Sequence, residues 1–293
     1  MAKTFDRTAE DFGNIINLEH INVTSPDQRL ATLFYITGMG FTRDPYLVTG
    51  VVNMWVNIGR SQVHLPVGDP QVLRGHTGLV VPDLKAQADS LEAVRGDLKG
   101  TKFDFNRGND RLDVICPWGN EYRCYEPDTD RFGPICLGMP YVQFDVPLGT
   151  ADGIARFYRE IFDAVTAVED SDGAKTARIS VGYHQYVLFR ETGDPIPAYD
   201  GHHFELYLVN FSEPHERLKE RGLITQESNQ YQYRFLDIID LDSGKKLYEV
   251  EHEIRSMSHP LFGRPFVNRN PAQTNRTYVP GCDDRTWATP YAM

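Results

Sequence analysis

Cysteine, long apolar runs and basic residues are all scarce in this chain of 293 residues. The four cysteines (Cys116, Cys124, Cys136 and Cys282) form no CxxC pair, so neither a disulfide framework nor a zinc finger is expected. No segment approaches the roughly 20 consecutive apolar residues that span a bilayer, and the N-terminus lacks the pattern of a signal peptide. These absences predict a reduced, cytoplasmic protein.

Acidic residues outnumber basic ones by 41 to 30, which gives a net charge of −11. Nucleic acids and anionic membranes need clustered Lys and Arg, so we expect neither as a partner. Hydrophobic residues make up 41% of the chain and charged residues 24%, as in packed globular domains. The expected partner is therefore a small molecule, and a homo-oligomer is left open.

One sequence pattern is repeated along the chain. "LEHINVTSPDQRLATLFY" begins at Leu18, and "YVQFDVPLGTADGIARFY" begins at Tyr141. In each segment the residue types alternate as in a strand, then a proline follows, and then a helical pattern begins. The spacing from His20 to Phe34 equals that from Gln143 to Phe157. "GHTGLVVPDLKAQADSLEAV" and "GHHFELYLVNFSEPHERLKERGL" follow the same plan. Strand-like stretches come after each helix, with turn signals such as "PWGN" and "LDSGKK". The sequence thus predicts an α+β protein of four βαβββ modules in two pairs.

These modules resemble the vicinal oxygen chelate superfamily, which includes glyoxalase I, the bleomycin-resistance proteins and the extradiol ring-cleaving dioxygenases. The resemblance implies that each pair of modules forms an eight-stranded, cup-like sheet with helices outside. The two-pair length is most similar to the two-domain extradiol dioxygenases, whose C-terminal pair holds the iron. It implies a structural N-terminal domain at 14–130, a C-terminal domain with the active site at 138–256, and an extended tail at 257–293.

The resemblance also implies that metal ligands lie on the first and last strand of each module. In the C-terminal domain it points to Gln143, His203 and Glu251 as ligands, with Glu191 as a fourth. The family usually has a glutamate shortly after the glycine of the last hairpin. Arg123 and Tyr248 stand at the two corresponding positions, so both pairs depart from the pattern.

Strand parity selects the glutamate. Side chains alternate between the two faces of a strand, so Glu249, Glu251 and Glu253 should point together into the cup. A one-residue bulge would bring Glu251 to the ligand position, and Glu251 is also the predicted proton-transfer residue. Tyr233 is a second candidate acid at the cup mouth. A purely structural role for Glu251 also stays open, since its carboxylate suits a salt bridge with Arg234.

Three histidines of the N-terminal domain, His20, His64 and His76, form an alternative metal site. Arg123 would oppose a divalent cation beside them, which is why the C-terminal cup is favoured. In the tail, a set of basic residues is a candidate for closing over the cup and binding a carboxylate: Arg255, His259, Arg264 and Arg269.

The predicted function is that of a metal-dependent enzyme acting on a small molecule with adjacent oxygens, most like an extradiol-type dioxygenase using Fe²⁺. Gln143 and the glutamates also suit a glyoxalase-like isomerase or lyase with a Lewis-acid metal such as Mn²⁺, Ni²⁺ or Zn²⁺. A metal-free binding protein of the bleomycin-resistance kind is the third hypothesis, because the aromatic content of 12% would suit an apolar pocket.

Overall fold

The computed structural model of the protein describes residues 5–44, 47, 52–171, 173–264 and 266. Four modules follow one another, each with four strands. The first contains β1 (Ile15–Asn22), β2 (Thr42–Arg43), β3 (Asn53–Ile58) and β4 (Ser61–Pro66). The second contains β5 (Gly75–Val80), β6 (Asp104–Arg107), β7 (Leu112–Ile115) and β8 (Glu121–Tyr125). The third contains β9 (Gly138–Pro147), β10 (Thr166–Ser171), β11 (Ala174–Gly182) and β12 (Gln185–Thr192). The fourth contains β13 (His203–Leu208), β14 (Ile224–Asn229), β15 (Gln232–Ile239) and β16 (Lys246–Ser256).

Each module carries a helix after its first strand. Their bounds are α1 (Gln28–Ala31), which continues as a π-helix over Thr32–Gly38, α2 (Leu84–Val94), α4 (Ala151–Phe162) and α5 (Ser212–Glu220), with a short α3 (Thr129–Phe132) between the second and third modules and a 3₁₀ turn at Thr8–Glu10. Asp27 and Asp83 cap α1 and α2, because their carboxylates accept hydrogen bonds from backbone N–H groups of the first turn. The predicted α+β fold of four βαβββ modules is confirmed.

The modules do not pair as predicted. One sheet has the order β14-β15-β16-β13-β1-β4-β3-β2 and the other β10-β11-β12-β9-β5-β8-β7-β6. The first sheet therefore joins the first and fourth modules, and the second sheet joins the second and third. The predicted cups of adjacent modules, within 14–130 and within 138–256, are wrong in this respect. Sheets join through the first strand of each module, and four similar first strands do not reveal their partners.

The helices lie between the backs of the two sheets. Helix α4 packs against β10, β11 and β12 of the second sheet and also against β15 and β16 of the first. The hydroxyls of Tyr35, from the first module, and Tyr122, from the second, are 2.6 Å apart in this layer. Because the apolar faces of both sheets are covered by this layer, the polar faces form two cups, named the first cup and the second cup after their sheets.

Strand alternation divides the residues between cup and core. On β16, Val250, His252 and Ile254 are buried on the helix side, and His252 stacks on Phe235 with ring centroids 4.0 Å apart. The alternate residues, Glu251 and Glu253, face the first cup and both bind Arg234. The parity argument for this strand is confirmed.

No helix in the described ranges is long and apolar enough to cross a membrane. Three cysteines, Cys116, Cys124 and Cys136, are free thiols, and Cys282 lies outside the described residues.

Candidate metal centre

Four side chains meet in the middle of the first cup. His20 comes from β1, His64 from β4, His203 from β13 and Glu253 from β16. The ring of His20 lies 6.0 Å, centroid to centroid, from each of the rings of His64 and His203. Ligand atoms of His20, His203 and Glu253 all lie within 4.8 Å of one another. Two imidazoles and one carboxylate are thus close enough to share one metal ion.

A bulge in β1 builds this arrangement. The pairing of β1 with β13 shifts between Leu18 and Ile21, whose side chains both lie in the core. Glu19 and His20, between them, therefore both face the cup, although neighbours on a regular strand point to opposite sides. Glu19 accepts a hydrogen bond from Arg255 at 2.9 Å, while the ring of His20 faces that of His203.

Glu253, rather than Glu251, is the carboxylate of the group. Glu253 is 3% exposed at the centre, whereas the side chain of Glu251 is 26% exposed toward the rim. His203 lies between them, with Nδ1 3.3 Å from Glu251 and Nε2 3.5 Å from Glu253. The prediction of Glu251 assumed a bulge in the last strand. The pairing of β16 with β15 is indeed shifted between Glu249 and His252, but its ladder with β13, from His203 opposite Glu251 to Leu208 opposite Ser256, is regular, and Glu253 rather than Glu251 lies among the ligand atoms.

Burial sets the protonation of the histidines. It lowers the pKa of His20 well below its ordinary value, and the nearby Arg255 lowers it further. Burial also lowers the pKa of His64 well below the ordinary value. Both imidazoles are therefore neutral and keep a nitrogen lone pair for a ligand.

Glu253 is held as a carboxylate. Burial raises its pKa, but Arg255 and the facing His203 outweigh that effect, and the net pKa is well below the ordinary range. Its oxygens contact the guanidinium groups of Arg234 and Arg255. A carboxylate has about four lone-pair sites, so these contacts leave room for a metal ion.

The residues fit a bound divalent metal. Both ring nitrogens of His20 and the Nε2 atoms of His64 and His203 are buried without a hydrogen-bond partner among the described residues. Buried polar atoms without partners are costly and rare, and several at one point indicate a ligand that would satisfy them. Neutral imidazoles with one carboxylate are a typical donor set for a first-row transition metal.

A further buried carboxyl group was missed by the sequence analysis. Glu205 is fully buried in the same cup, and no side chain among the described residues forms a hydrogen bond with it. Burial raises its pKa well above the ordinary value, and the nearby carboxylate of Glu19 raises it further. The signal was present, because Glu205 follows His203 by two positions and so shares its face of β13.

An aromatic wall and a cavity adjoin the centre. Trp55 on β3 stacks on His64 with centroids 3.8 Å apart and meets His20 edge-on at 4.8 Å. A cavity of about 430 Å³ opens beside it, lined among others by Leu47, Trp55, Arg255, His259 and Leu261. His259 and Leu261 belong to the start of the predicted tail, which thus forms part of the cup mouth. Arg264 instead binds buried Asp44 at 2.6 Å, and Arg269 lies outside the described residues.

The other predicted ligands lie elsewhere. Gln143 is on β9 in the second cup, where its amide donates to Asp145 at 3.4 Å, so it cannot share an ion with His203. Glu191 accepts a hydrogen bond from the backbone N–H of Ala151 at 2.8 Å and so caps the start of α4. The predicted set of Gln143, His203, Glu251 and Glu191 is therefore not brought together.

Tyr233 and His76 are also placed away from the centre. Tyr233 pairs with Ile254 and faces the helix side, where its ring packs on Phe211 at 4.9 Å. Burial raises the pKa of its hydroxyl, which does not reach the cup. Of the three N-terminal histidines, His20 and His64 come together, while His76 lies in the second cup with Arg123. The guanidinium that argued against an N-terminal histidine site is thus in the other sheet.

Comparisons with solved structures agree with this architecture. Glyoxalase I from Zea mays is 13% identical over 82% of this chain and 92% of its own, with a TM-score of 0.57. A Bacillus subtilis protein provisionally described as a dioxygenase is 14% identical over 90% of each chain, with a TM-score of 0.55. No family model matches the sequence, and no curated protein matches it either.

The chain has the fold of the vicinal oxygen chelate superfamily, as its repeated modules indicated. Its particular form is a single chain with two cups, in which the first and last modules enclose the candidate metal centre.

Proposed function

We propose that this chain is a metal-dependent enzyme of the vicinal oxygen chelate type whose first cup binds one divalent metal through His20, His203 and Glu253. The observation that carries the proposal is that ligand atoms of two imidazoles and one carboxylate lie within 4.8 Å of one another. Imidazole nitrogens of this group are buried without a hydrogen-bond partner among the described residues. Such a two-histidine, one-carboxylate set is typical of non-haem Fe²⁺ oxygenases. Fe²⁺ is therefore the favoured metal, and extradiol-type ring cleavage the favoured reaction.

The position of Gln143 removes the main argument for the rival reaction. An oxygen-rich set with an amide ligand favoured an isomerase, and Gln143 lies in the other cup. The cavity at the mouth adds support, because Trp55, Leu47 and Leu261 provide an apolar wall for an aromatic ring. When bound, the metal would act as a Lewis acid for two adjacent substrate oxygens and, as Fe²⁺, would permit reaction with O₂.

The protein's own groups supply orientation and proton transfer. His64 is neutral, and its Nε2 has no hydrogen-bond partner among the described residues. Its ring lies next to that of His20, so it is suited to accept a proton from a substrate hydroxyl. Stacking on Trp55 fixes the plane of its ring. Arg255 lines both the cavity and the centre, and its buried guanidinium already binds Glu19, Gln232 and Glu253, so it is suited to hold these groups in place.

A glyoxalase-like isomerase or lyase is the second candidate. It is favoured by Glu205, a buried carboxyl group with no side-chain hydrogen bond among the described residues, which is suited to moving a proton between neighbouring carbons. The likeness in fold to maize glyoxalase I is compatible with it. In that reaction Mn²⁺, Ni²⁺ or Zn²⁺ would replace Fe²⁺.

Metal analysis of protein purified without oxygen or chelators tests the proposal. We expect about one metal per chain in the parent protein and in Glu249→Gln, and loss of the metal in Glu253→Gln and His203→Ala. Glu249 is the matched control, because it lies on the same strand and pairs with Lys246 instead of with the centre. Circular dichroism and thermal unfolding check that each variant is folded.

The outcomes separate the hypotheses. Iron together with oxygen uptake on a catechol supports ring cleavage, whereas manganese, nickel or zinc without oxygen uptake favours the isomerase. Retention of metal in folded Glu253→Gln and His203→Ala would overturn the assignment of the centre. A folded parent protein that takes up no metal even when supplied with each of these ions would leave the metal-free binding protein.

A further inference from the structure

The second cup contains a polar cavity of its own. It has a volume of about 440 Å³ and is lined by residues of β5, β8, β9 and β12. Small-molecule sites commonly measure about 300 to 1,000 Å³. His76, which lines the cavity, is held in place because the hydroxyl of Tyr141 hydrogen-bonds to it at 3.2 Å, and the ring of Tyr141 lies over Gly78. Gly78 leaves space for this ring, because a Cβ atom added at position 78 would lie 2.1 Å from it.

The guanidinium groups of Arg190 and Arg123 line this cavity, together with the carboxylates of Glu121, Asp145 and Asp194. Arg190 on β12 forms no hydrogen bond or ion pair through its side chain with any described residue. The carboxylate nearest to Arg123 on β8 is that of Asp113, at 3.9 Å, which is a weak contact. Arginine is well suited to bind carboxylates and phosphates through paired N–H groups.

The duplication shows why this cup does not repeat the metal centre. Gln143 corresponds to His20 in the repeat, and Arg190 faces Asp145 just as His64 faces Asn22. The guanidinium of Arg190 thus takes the place of the imidazole of His64, and the amide of Gln143 takes the place of the imidazole of His20. The three-ligand groups found among the described residues all lie in the first cup.

An acceptor stands next to the guanidinium. Asp145 is paired with Arg190 across neighbouring strands, and among the described residues its carboxylate accepts a single long hydrogen bond, at 3.4 Å from Gln143. The cavity thus presents positive donors and a negative acceptor side by side. A plain anion would meet the arginines but would be repelled by Asp145, whereas a carboxylate with its own hydrogen-bond donor satisfies both groups.

We propose that the second cup binds a small organic carboxylate that also carries a hydroxyl or ammonium group. Arg190 and Arg123 bind the carboxylate, and Asp145 accepts from the hydroxyl or ammonium group. This site is separate from the proposed metal centre, and it binds without a metal.

Calorimetric titration of the full chain with succinate, malate and aspartate tests this inference, since the three share one carbon skeleton. Malate or aspartate should bind, and succinate about tenfold more weakly because it lacks the donor. Arg190→Gln should weaken binding at least about tenfold, and Asp145→Asn should remove the preference over succinate. Arg178→Gln is the matched control, because Arg178 lies on the neighbouring β11 and pairs with Glu169 outside the cavity.

Equal binding to the parent protein and to folded Arg190→Gln would overturn the proposal, as would binding of inorganic phosphate but of none of the three acids. Failure of all the probes to bind would overturn it too. The metal content of Arg190→Gln should equal that of the parent protein, and His203→Ala should still bind the acid. A failure at the metal centre is therefore distinguishable from a failure at this site.

Discussion

His20 and His203 lie on neighbouring antiparallel strands with ring centroids 6.0 Å apart, although one belongs to the first module and the other to the last. The candidate metal centre therefore depends on a sheet that neither end of the chain can form alone.

Glu191 caps a helix and lies outside the candidate metal centre. Glu191→Gln should lower the free energy of unfolding by about 0.5–2 kcal/mol, because it weakens the cap on the backbone N–H of Ala151 at the start of α4. Urea unfolding measures the loss. Metal content should be the same as in the parent protein, and a folded variant without metal would return Glu191 to the ligand set.

The hydroxyls of Tyr35 and Tyr122 bind each other across the helix layer at 2.6 Å, and both side chains are fully buried. Tyr122→Phe should destabilise the protein by about 1–3 kcal/mol, since it leaves the hydroxyl of Tyr35 buried with a lost partner. The double variant with Tyr35→Phe should cost less than the sum of the two single changes. Additive costs in chemical unfolding would contradict the proposed coupling.

His76 should make stability depend on pH. Burial, reinforced by Arg123, lowers its pKa to about 3 in the folded protein, below the ordinary value of 6.5. The unfolded chain therefore binds the proton first as the pH falls, and folding loses up to about 1.4 kcal/mol per pH unit between the two values.

The control for this effect is His76→Gln, which has no such titration. The difference in unfolding free energy between the parent protein and the variant should shrink as the pH is lowered from about 7 to about 5. A difference that stays constant over this range would show that His76 binds its proton equally well in the folded and unfolded states, which would contradict the lowered pKa.

Gly78 makes room for Tyr141 in the wall of the second cup. Gly78→Ala would place Cβ 2.1 Å from the ring and should cost about 1–3 kcal/mol of stability. Tyr141→Ala in the same chain should recover part of that loss, because the clash disappears. Equal costs with and without the tyrosine, measured by thermal unfolding, would count against this packing.

The sequence predicted the modules well because each one carries its own local signals. Alternation, caps and turn residues act within a few positions, and on β16 they separated Glu251 and Glu253 from His252 correctly. Parity cannot choose between two glutamates on one face, and a bulge as small as that at Glu19 and His20 leaves no clear mark in the sequence.

The pairing of modules could not be derived in the same way. The first strands β1, β5, β9 and β13 are alike in pattern, so any two of them can form the central ladder of a sheet. The resulting error moved Gln143 into the site and Arg123 next to His20, whereas in the structure both line the second cup. The residue types were read correctly, but their neighbours depend on contacts between distant parts of the chain.

The joining of first and last modules also orders events during synthesis. The second and third modules are adjacent in the chain and can complete their sheet early, because β5 and β9 emerge close together. Strand β1 must wait with an open edge until β13 has left the ribosome, and an open edge invites pairing with other chains. A nascent chain truncated before the fourth module would present His20 and His64 but would lack His203 and Glu253, so the candidate metal centre is complete only after β16 has been synthesised.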